Sequence, residues 1–237
     1  MAPLVSCILA TRNRRPFFAQ ALEYYRVQSY PNSELVVIDD GDVTIADLCR
    51  DLPNLTYIRL SQRTPTGSKL NLGIEASRGE ILQKIDDDDY YGPEFLSKAA
   101  GRLIASKDPN SLVAWCCFGV VIAGEAELFF SGHGWSAGGT FCFFRALWRQ
   151  HPFRDVFRSS DSWFLRDNRP AIQRVCAADQ YIVCRHGRNT WVRIKGCDSV
   201  EQYFRRRRSS KSLEETVGVR HAAFYKGLPG HSEVADA

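Results

Sequence analysis

The chain has 237 residues and 44% hydrophobic content, enough for a full core, and its formal net charge of +4 demands neither a nucleic-acid nor a membrane partner. Its longest uncharged apolar segment, Ser111 to Gly124, is too short to span a bilayer, and no signal-peptide pattern opens the sequence. Eight cysteines without a CxxC pair argue against zinc. With Cys7, Cys116, Cys117 and Cys142 inside apolar runs, the expectation is free thiols in a reducing, cytoplasmic protein.

Leu4 to Ala10 is a short apolar run without strict alternation, as suits a strand buried on both faces of a parallel sheet. It ends in TRNRRP, residues 11–16, whose proline suits the first turn of the helix patterned by Phe18, Ala21, Leu22 and Tyr25. A second buried strand, Glu34 to Ile38, runs directly into Asp39-Asp40-Gly41. A short helix over Thr44 to Arg50, a strand over Leu55 to Leu60 and a helix over Gly67 to Ser77 follow. Then comes ILQKIDDDDYY, residues 81–91, where an apolar strand stops in four adjacent carboxylates, Asp86 to Asp89. Like charges so close disfavour regular structure and invite a hard divalent cation, Mn2+ or Mg2+; the bland reading is a solvated acidic turn.

Strands alternating with helices predict an α/β fold with a mostly parallel sheet and right-handed crossovers. In that topology one crevice collects Thr11 and Asn13, Asp39 and Asp40, and Asp86 to Asp89 at strand ends. The crevice offers carboxylates to a metal and to a base N–H, and cations at Arg12, Arg14, Arg15 and Lys69 to phosphate. That inventory fits a nucleoside diphosphate held through a cation. Taken singly, Asp39-Asp40-Gly41 also reads as a capped turn, and Lys69 and Asn71 as solvent-facing helix residues. Neither GxxxxGK[ST] nor GxGxxG is present, so the P-loop and dinucleotide readings lack their phosphate cradle.

Three stretches, VSCILATRNRR, ELVVIDDGD and GSKLNLGIEASRGEILQKIDDDD, together resemble the family 2 glycosyltransferases of GT-A fold. They are similar to that family's nucleotide loop, its acidic base-binding turn, and the helix that leads into its DxD strand. The resemblance implies a Rossmann-like, mostly parallel sheet flanked by helices, with a C-terminal acceptor-side region. It implies a single domain over 1–228, divided into a nucleotide-sugar half at 3–92, an acceptor-side half at 93–197 and a basic helical region at 198–228, before a flexible tail at 229–237. Thr11 and Asp39 would contact base and ribose, with Asn13, Arg14, Asp40 and Asn71 beside them, and Lys69 would approach the donor phosphates. Asp86 and Asp87 would face the donor, and Asp86 and Asp88 would hold the metal, the choice among the four aspartates staying open.

Further on, SGHGWSAGGTFCFFR is rich in glycine and aromatics, and Trp135 and Phe141 suit stacking on a sugar face; the plain alternative is an irregular loop before a core strand. By resemblance, Gly138 and Gly139 would face the sugar. SSDSWFL, residues 159–165, is similar to the family's acidic motif with Ser160 in place of its first acid. Asp161 would then be the general base of an inverting transfer, or, more simply, a helix N-cap. His186, near the end of a strand starting at Tyr181, occupies the place of the histidine that GT-A proteins often set beside the metal, although a lone histidine is as readily structural. Asp198 or Ser199 would cap a helix running into Arg205, Arg206, Arg207 and Arg208, a solvated face or the seat of an anionic partner.

The function expected is metal-dependent, inverting transfer of a sugar from a nucleotide sugar, foremost a UDP-sugar, to an acceptor hydroxyl that the sequence does not identify. One rival is a sugar-1-phosphate nucleotidyltransferase, whose phosphate loop TRNRRPF matches poorly. The other is a noncatalytic nucleic-acid or anionic-surface binder built on the arginine run.

Overall fold

The computed structural model describes residues 2–189, 191, 194 and 196–230. Its elements in chain order are β1 (Val5–Thr11), α1 (Arg15–Arg26), β2 (Ser33–Asp39), β3 (Leu55–Arg59), α2 (Thr66–Ala76), β4 (Ile81–Ile85), β5 (Tyr90–Tyr91) and α3 (Phe95–Ser106). They continue with β6 (Ser111–Cys117), β7 (Gly119–Ile122), β8 (Leu128–Phe130), β9 (Cys142–Phe144), α4 (Arg145–Gln150), α5 (Ser160–Asn168) and β10 (Ala171–Cys176). The last are β11 (Tyr181–Arg185), α6 (Val200–Arg205), α7 (Leu213–Val217) and α8 (Val219–Lys226). Among the described residues no helix is long and apolar enough to cross a membrane.

The chain forms two compact units that interleave in sequence. The first comprises Met1–Asp88, Pro93–Ala114 and Ser136–Val175, and the second Asp89–Gly92, Trp115–Trp135 and Cys176–Ala237. The boundaries of these units fall inside β6 and β10. Of the tail expected at 229–237, residues 231–237 lie outside the described residues.

The first unit is built on a seven-stranded sheet in the order β10-β6-β9-β4-β1-β2-β3. β1 is parallel to both β4 and β2, and β2 to β3, as the strand–helix alternation predicts, whereas β9 enters antiparallel to β4 and β6. β2 and β4 are buried along nearly their whole lengths, which is why they read as continuous apolar runs. Helix α2 lies so close to β1 and β2 that a side chain at Gly73 would overlap Ile8 and Ile38. Leu70 and Ile74 of α2 join Ile8, Val36, Ile38 and Leu82 in the core. Phe153 and Phe164 stack at 4.2 Å between centroids in the same cluster. Only one short 3-10 turn, Ala46–Cys49, forms where a helix over Thr44 to Arg50 was expected.

Two polar struts fasten this unit. Glu34, 3% exposed, accepts from Ser6 Oγ at 2.6 Å and from the Arg78 N–H and Nε at 2.6 and 2.8 Å. The buried Arg145 guanidinium donates to the carbonyls of Ile74, Ser77 and Gly79, closing the C-terminal end of α2 where unpaired carbonyls favour a cation.

The second unit holds a four-stranded sheet, β5-β11-β7-β8. The apolar stretch from Leu112 to Ile122 is thus two strands in two sheets, β6 and β7, and the pairing expected near Glu127 to Phe130 is present as β8 antiparallel to β7. Trp135, expected against a sugar, packs instead edge-on to Phe118, Trp191 and Tyr203, with its Nε1 donating to the Ser131 carbonyl at 2.9 Å. Phe141 is fully buried in the core of the first unit, so it too is removed from any sugar-stacking role. The buried Arg185–Glu201 pair, at 2.8 Å, ties β11 to α6. Cys117 and Cys176 form a disulfide with Cα atoms 5.1 Å apart, which corrects the reading of Cys117 as a free apolar thiol.

Candidate active site

The register of the parallel strands brings the polar ends of β1, β2 and β4 together in the first unit. Thr11 pairs with Asp39 across β1 and β2, and Leu9 with Ile85 across β1 and β4, so the residues just past Ile85 draw level with Thr11. Accordingly Thr11 Oγ1 donates to Asp87 Oδ2 at 2.6 Å. Arg14, at the mouth of α1, donates from one nitrogen to Asp87 Oδ1 and Asp88 Oδ2, both at 2.9 Å. Burial works against the Arg14 charge, but Asp87 and Asp88 outweigh it and raise its pKa. Asp87 rises as well, because burial, with the Asp88 charge adding to it, exceeds the help from Arg14 and Thr11.

The four aspartates have separate surroundings. Asp86 accepts from Lys84 Nζ at 2.6 Å, and its pKa is pushed up to about 6, first by burial and then by Asp161 and Asp88, with Lys84 opposing. Its side chain keeps 38% exposure, so solvent moderates that shift. Asp89 belongs to the second unit, where it accepts from Tyr181 Oη at 2.6 Å and the Cys184 N–H at 3.0 Å and so anchors β11.

Asp161 enters from α5. That helix begins at Ser160, after Ser159 at φ 61° turns the chain, so Asp161 sits inside the first turn rather than at the N-cap. Asp161 Oδ1 lies 3.5 Å from Lys84 Nζ and makes no hydrogen bond among the described residues. Gly138, at the start of a 3-10 turn, abuts the same carboxylate so closely that a Cβ there would collide with it; Gly139 beside it is buried. Lys84, 5% exposed, is the member that sequence reasoning missed. Its signal was a lysine inside an otherwise apolar buried strand, two residues before the acidic run.

Other expected residues have their polar atoms engaged elsewhere. Lys69, 6% exposed, donates to Asp40 Oδ1 at 2.7 Å and to the Thr11 carbonyl at 3.2 Å, which ties α2 to the ends of β1 and β2. Asp40 Oδ2 takes the Thr64 N–H at 2.7 Å. Asn71 bonds Phe153 and Trp148 and so fixes the loop after α4. Asn13, at φ 52°, exchanges two 2.7 Å bonds with Asp42. Asp39 accepts from the Gly41 N–H at 2.8 Å and Tyr57 Oη at 2.7 Å.

His186 lies in the second unit, where its ring accepts from the Arg188 N–H at 3.2 Å and its own backbone N–H donates to Asn189 Oδ1 at 2.6 Å. Ser199 Oγ caps α6, as expected, but α6 stops at Arg205 and the arginine run is not a helical face. Arg205 pairs with Glu125, Arg208 with Glu127 at 3.4 Å, and Arg207 lies over the Tyr203 ring at 4.4 Å.

Residues 6–167 match the family model described as Glycosyl transferase family 2. Similar proteins include EpsH of Bacillus subtilis (strain 168), 31% identical over 97 residues covering 39% of this chain and 28% of EpsH. The uncharacterized glycosyltransferase RT0329 of Rickettsia typhi is 26% identical over 133 residues, 54% of this chain and 41% of its own. The crystal structure of S. aureus TarS 1-349 in complex with UDP superposes with a TM-score of 0.63 at 19% identity, over 77% of this chain and 60% of that one. The chain thus spans under half the length of these two sequence relatives and about three fifths of the solved structure.

Proposed function

The chain belongs to glycosyl transferase family 2 and has the GT-A fold, and on that premise we propose that it moves a sugar from a UDP-sugar to an acceptor hydroxyl, with inversion and with Mn2+ or Mg2+ as cofactor. The observation that carries the proposal is Lys84, one buried ammonium set between Asp86 of the acidic strand end and Asp161 of α5. It links the part of the site suited to a metal–diphosphate to the part suited to a base. S. aureus TarS 1-349, similar in fold, has also been crystallised in complex with UDP-GlcNAc, which supports a uridine donor here.

The residues fit a hard divalent ion. Asp86 and Asp88 supply only oxygen, and crowding by neighbouring carboxylates adds to the burial that pushes Asp86 up to about 6, a repulsion that added positive charge relieves. When bound, the ion offsets charge on the leaving diphosphate. Thr11 and Asp39 are assigned to the nucleoside, and Arg14 fixes the acidic turn by bridging Asp87 and Asp88. Asp161 accepts the proton of the acceptor hydroxyl as that oxygen attacks the anomeric carbon opposite the departing UDP. The missing side chain at Gly138 leaves room for that carboxylate to pack there. A cytoplasmic location belongs to the same proposal.

Calorimetric titration with UDP, GDP, CDP and dTDP, first with Mn2+ and then with EDTA, tests it. UDP should bind selectively and only with the metal, and Asp88→Ala should abolish that binding. Absence of binding to every nucleotide would remove the transferase reading for this chain.

A further inference from the structure

The second unit contains a cluster that the sugar-transfer reading does not use. Cys116, Cys117, Cys176 and His133 each bring one ligand atom to a common point, all within 4.8 Å of one another. The disulfide accounts for Cys117 and Cys176 only. It leaves unexplained why Cys116, a free thiol at 8% exposure, and the His133 imidazole converge on the same sulfurs. Consecutive residues of a regular strand point to opposite faces, yet the sulfurs of Cys116 and Cys117, the last two residues of β6, lie within 4.8 Å of each other.

The histidine is delivered by a built loop. Gly132 at φ 78° and Gly134 at φ 94° flank His133, both in the left-handed region that favours glycine. The loop is pinned back to the end of β6 by Ser131 N–H to the Phe118 carbonyl at 2.9 Å, Phe118 N–H to Ser131 Oγ at 2.9 Å, and Trp135 N–H to the Cys116 carbonyl at 3.1 Å. His133 Nδ1 ends 3.8 Å from Cys176 Sγ. Four ligands around a tetrahedral zinc stand about 3.5–3.8 Å apart, given Zn–S near 2.3 Å and Zn–N near 2.0 Å. The cluster therefore needs only small rotations of its side chains to close on an ion.

We propose that Cys116, Cys117, Cys176 and His133 form a redox-gated structural Zn2+ site, vacated when Cys117 and Cys176 join as a disulfide. A small dithiol supplies the two electrons and two protons that open the bond, becoming a disulfide itself. Cys116, Cys117 and Cys176 then each release a proton to solvent as three S–Zn bonds and one N–Zn bond form. Three thiolates and a neutral imidazole leave no open position, so the ion staples the 131–135 loop to the ends of β6 and β10 and performs no catalysis. The proposal departs from the expectation, drawn from the missing CxxC pair, that argued against zinc. The ligands come from three separate segments, and their spacing carries no local signature. The proposal is independent of the transferase reading.

The full chain, reduced with excess dithiol and then freed of it under argon, is titrated with Co2+ and afterwards with Zn2+. The expected result is sulfur-to-cobalt charge-transfer absorption, which Co2+ on the acidic strand end cannot give, saturating at one equivalent and bleached by Zn2+. His133→Ala should weaken Zn2+ by at least about tenfold, since even outer partners of metal ligands matter by that much. His133→Cys should restore binding. His133 is exposed between two glycines, so neither substitution disturbs a core. No charge-transfer band in the reduced chain, an unchanged affinity in His133→Ala, or the same signal in the unreduced chain would each overturn the proposal.

Discussion

At the scale of single residues, the proposed chemistry separates into groups that act and groups that hold. Asp161 should act: Asp161→Asn keeps the size and loses the proton acceptor, so transfer should fall by about 10²–10⁴ while metal-dependent UDP affinity, read by calorimetry, stays within about twofold. Retained transfer would move the base elsewhere. Gly138→Ala addresses the same carboxylate without touching its charge. The added methyl meets Asp161 directly, so kcat should drop sharply with little change in UDP binding. Lys69 shows why such roles are only half legible in a sequence. Its position on a helix beside the donor loop was readable, but its partner Asp40 lies 29 residues away, and a pairing over that separation leaves no local pattern. Lys84 escaped for a similar reason, since its tie to Asp161 crosses from β4 to α5 and leaves no local pattern.

At the scale of elements, the parallel strands were legible because full burial writes itself as an unbroken apolar run, as in β2 and β4. β10 was not, because its residues alternate between exposed and half-buried and it contains Gln173 and Arg174. The passage from β6 to β7 was equally hidden, since hydrophobicity does not change where the chain leaves one sheet for another. Glu34 gives a test at this scale, because it joins β1, β2 and the turn before β4. Burial alone would raise its pKa, but the donors Ser6 and Arg78 reverse that and hold it below the ordinary value. A carboxylate depressed in the folded state stabilises above its unfolded pKa, about 4.3, and loses that contribution as pH falls through the folded value. Glu34→Gln should therefore lower stability near pH 7 by roughly 1–3 kcal/mol and flatten the acid limb of a thermal-unfolding series between about pH 5 and 3. An unchanged acid limb would assign that limb to other carboxylates.

For the whole molecule, the remaining choice is between a transferase with a basic edge and a binder of polyanions. The sequence presents Arg205 to Arg208 as one uninterrupted positive block, and in isolation such a block favours a phosphate backbone. The structure divides it: Glu125 and Glu127 neutralise two of the four, and Arg207 lies over Tyr203. Exposed pairs of this kind contribute little to stability, yet they lower the charge presented to a partner. With two of the four arginines paired to glutamates, few counterions would be released from a duplex. Binding of a 20-base-pair DNA in metal-free buffer, followed by fluorescence anisotropy from about 50 to 200 mM salt, should then be weak, with a log–log slope shallower than about −2. A steep slope, near the value for four or more phosphate contacts, would show that the arginines exchange their glutamates for a polyanion, and the acceptor of the sugar would then be sought among nucleic acids.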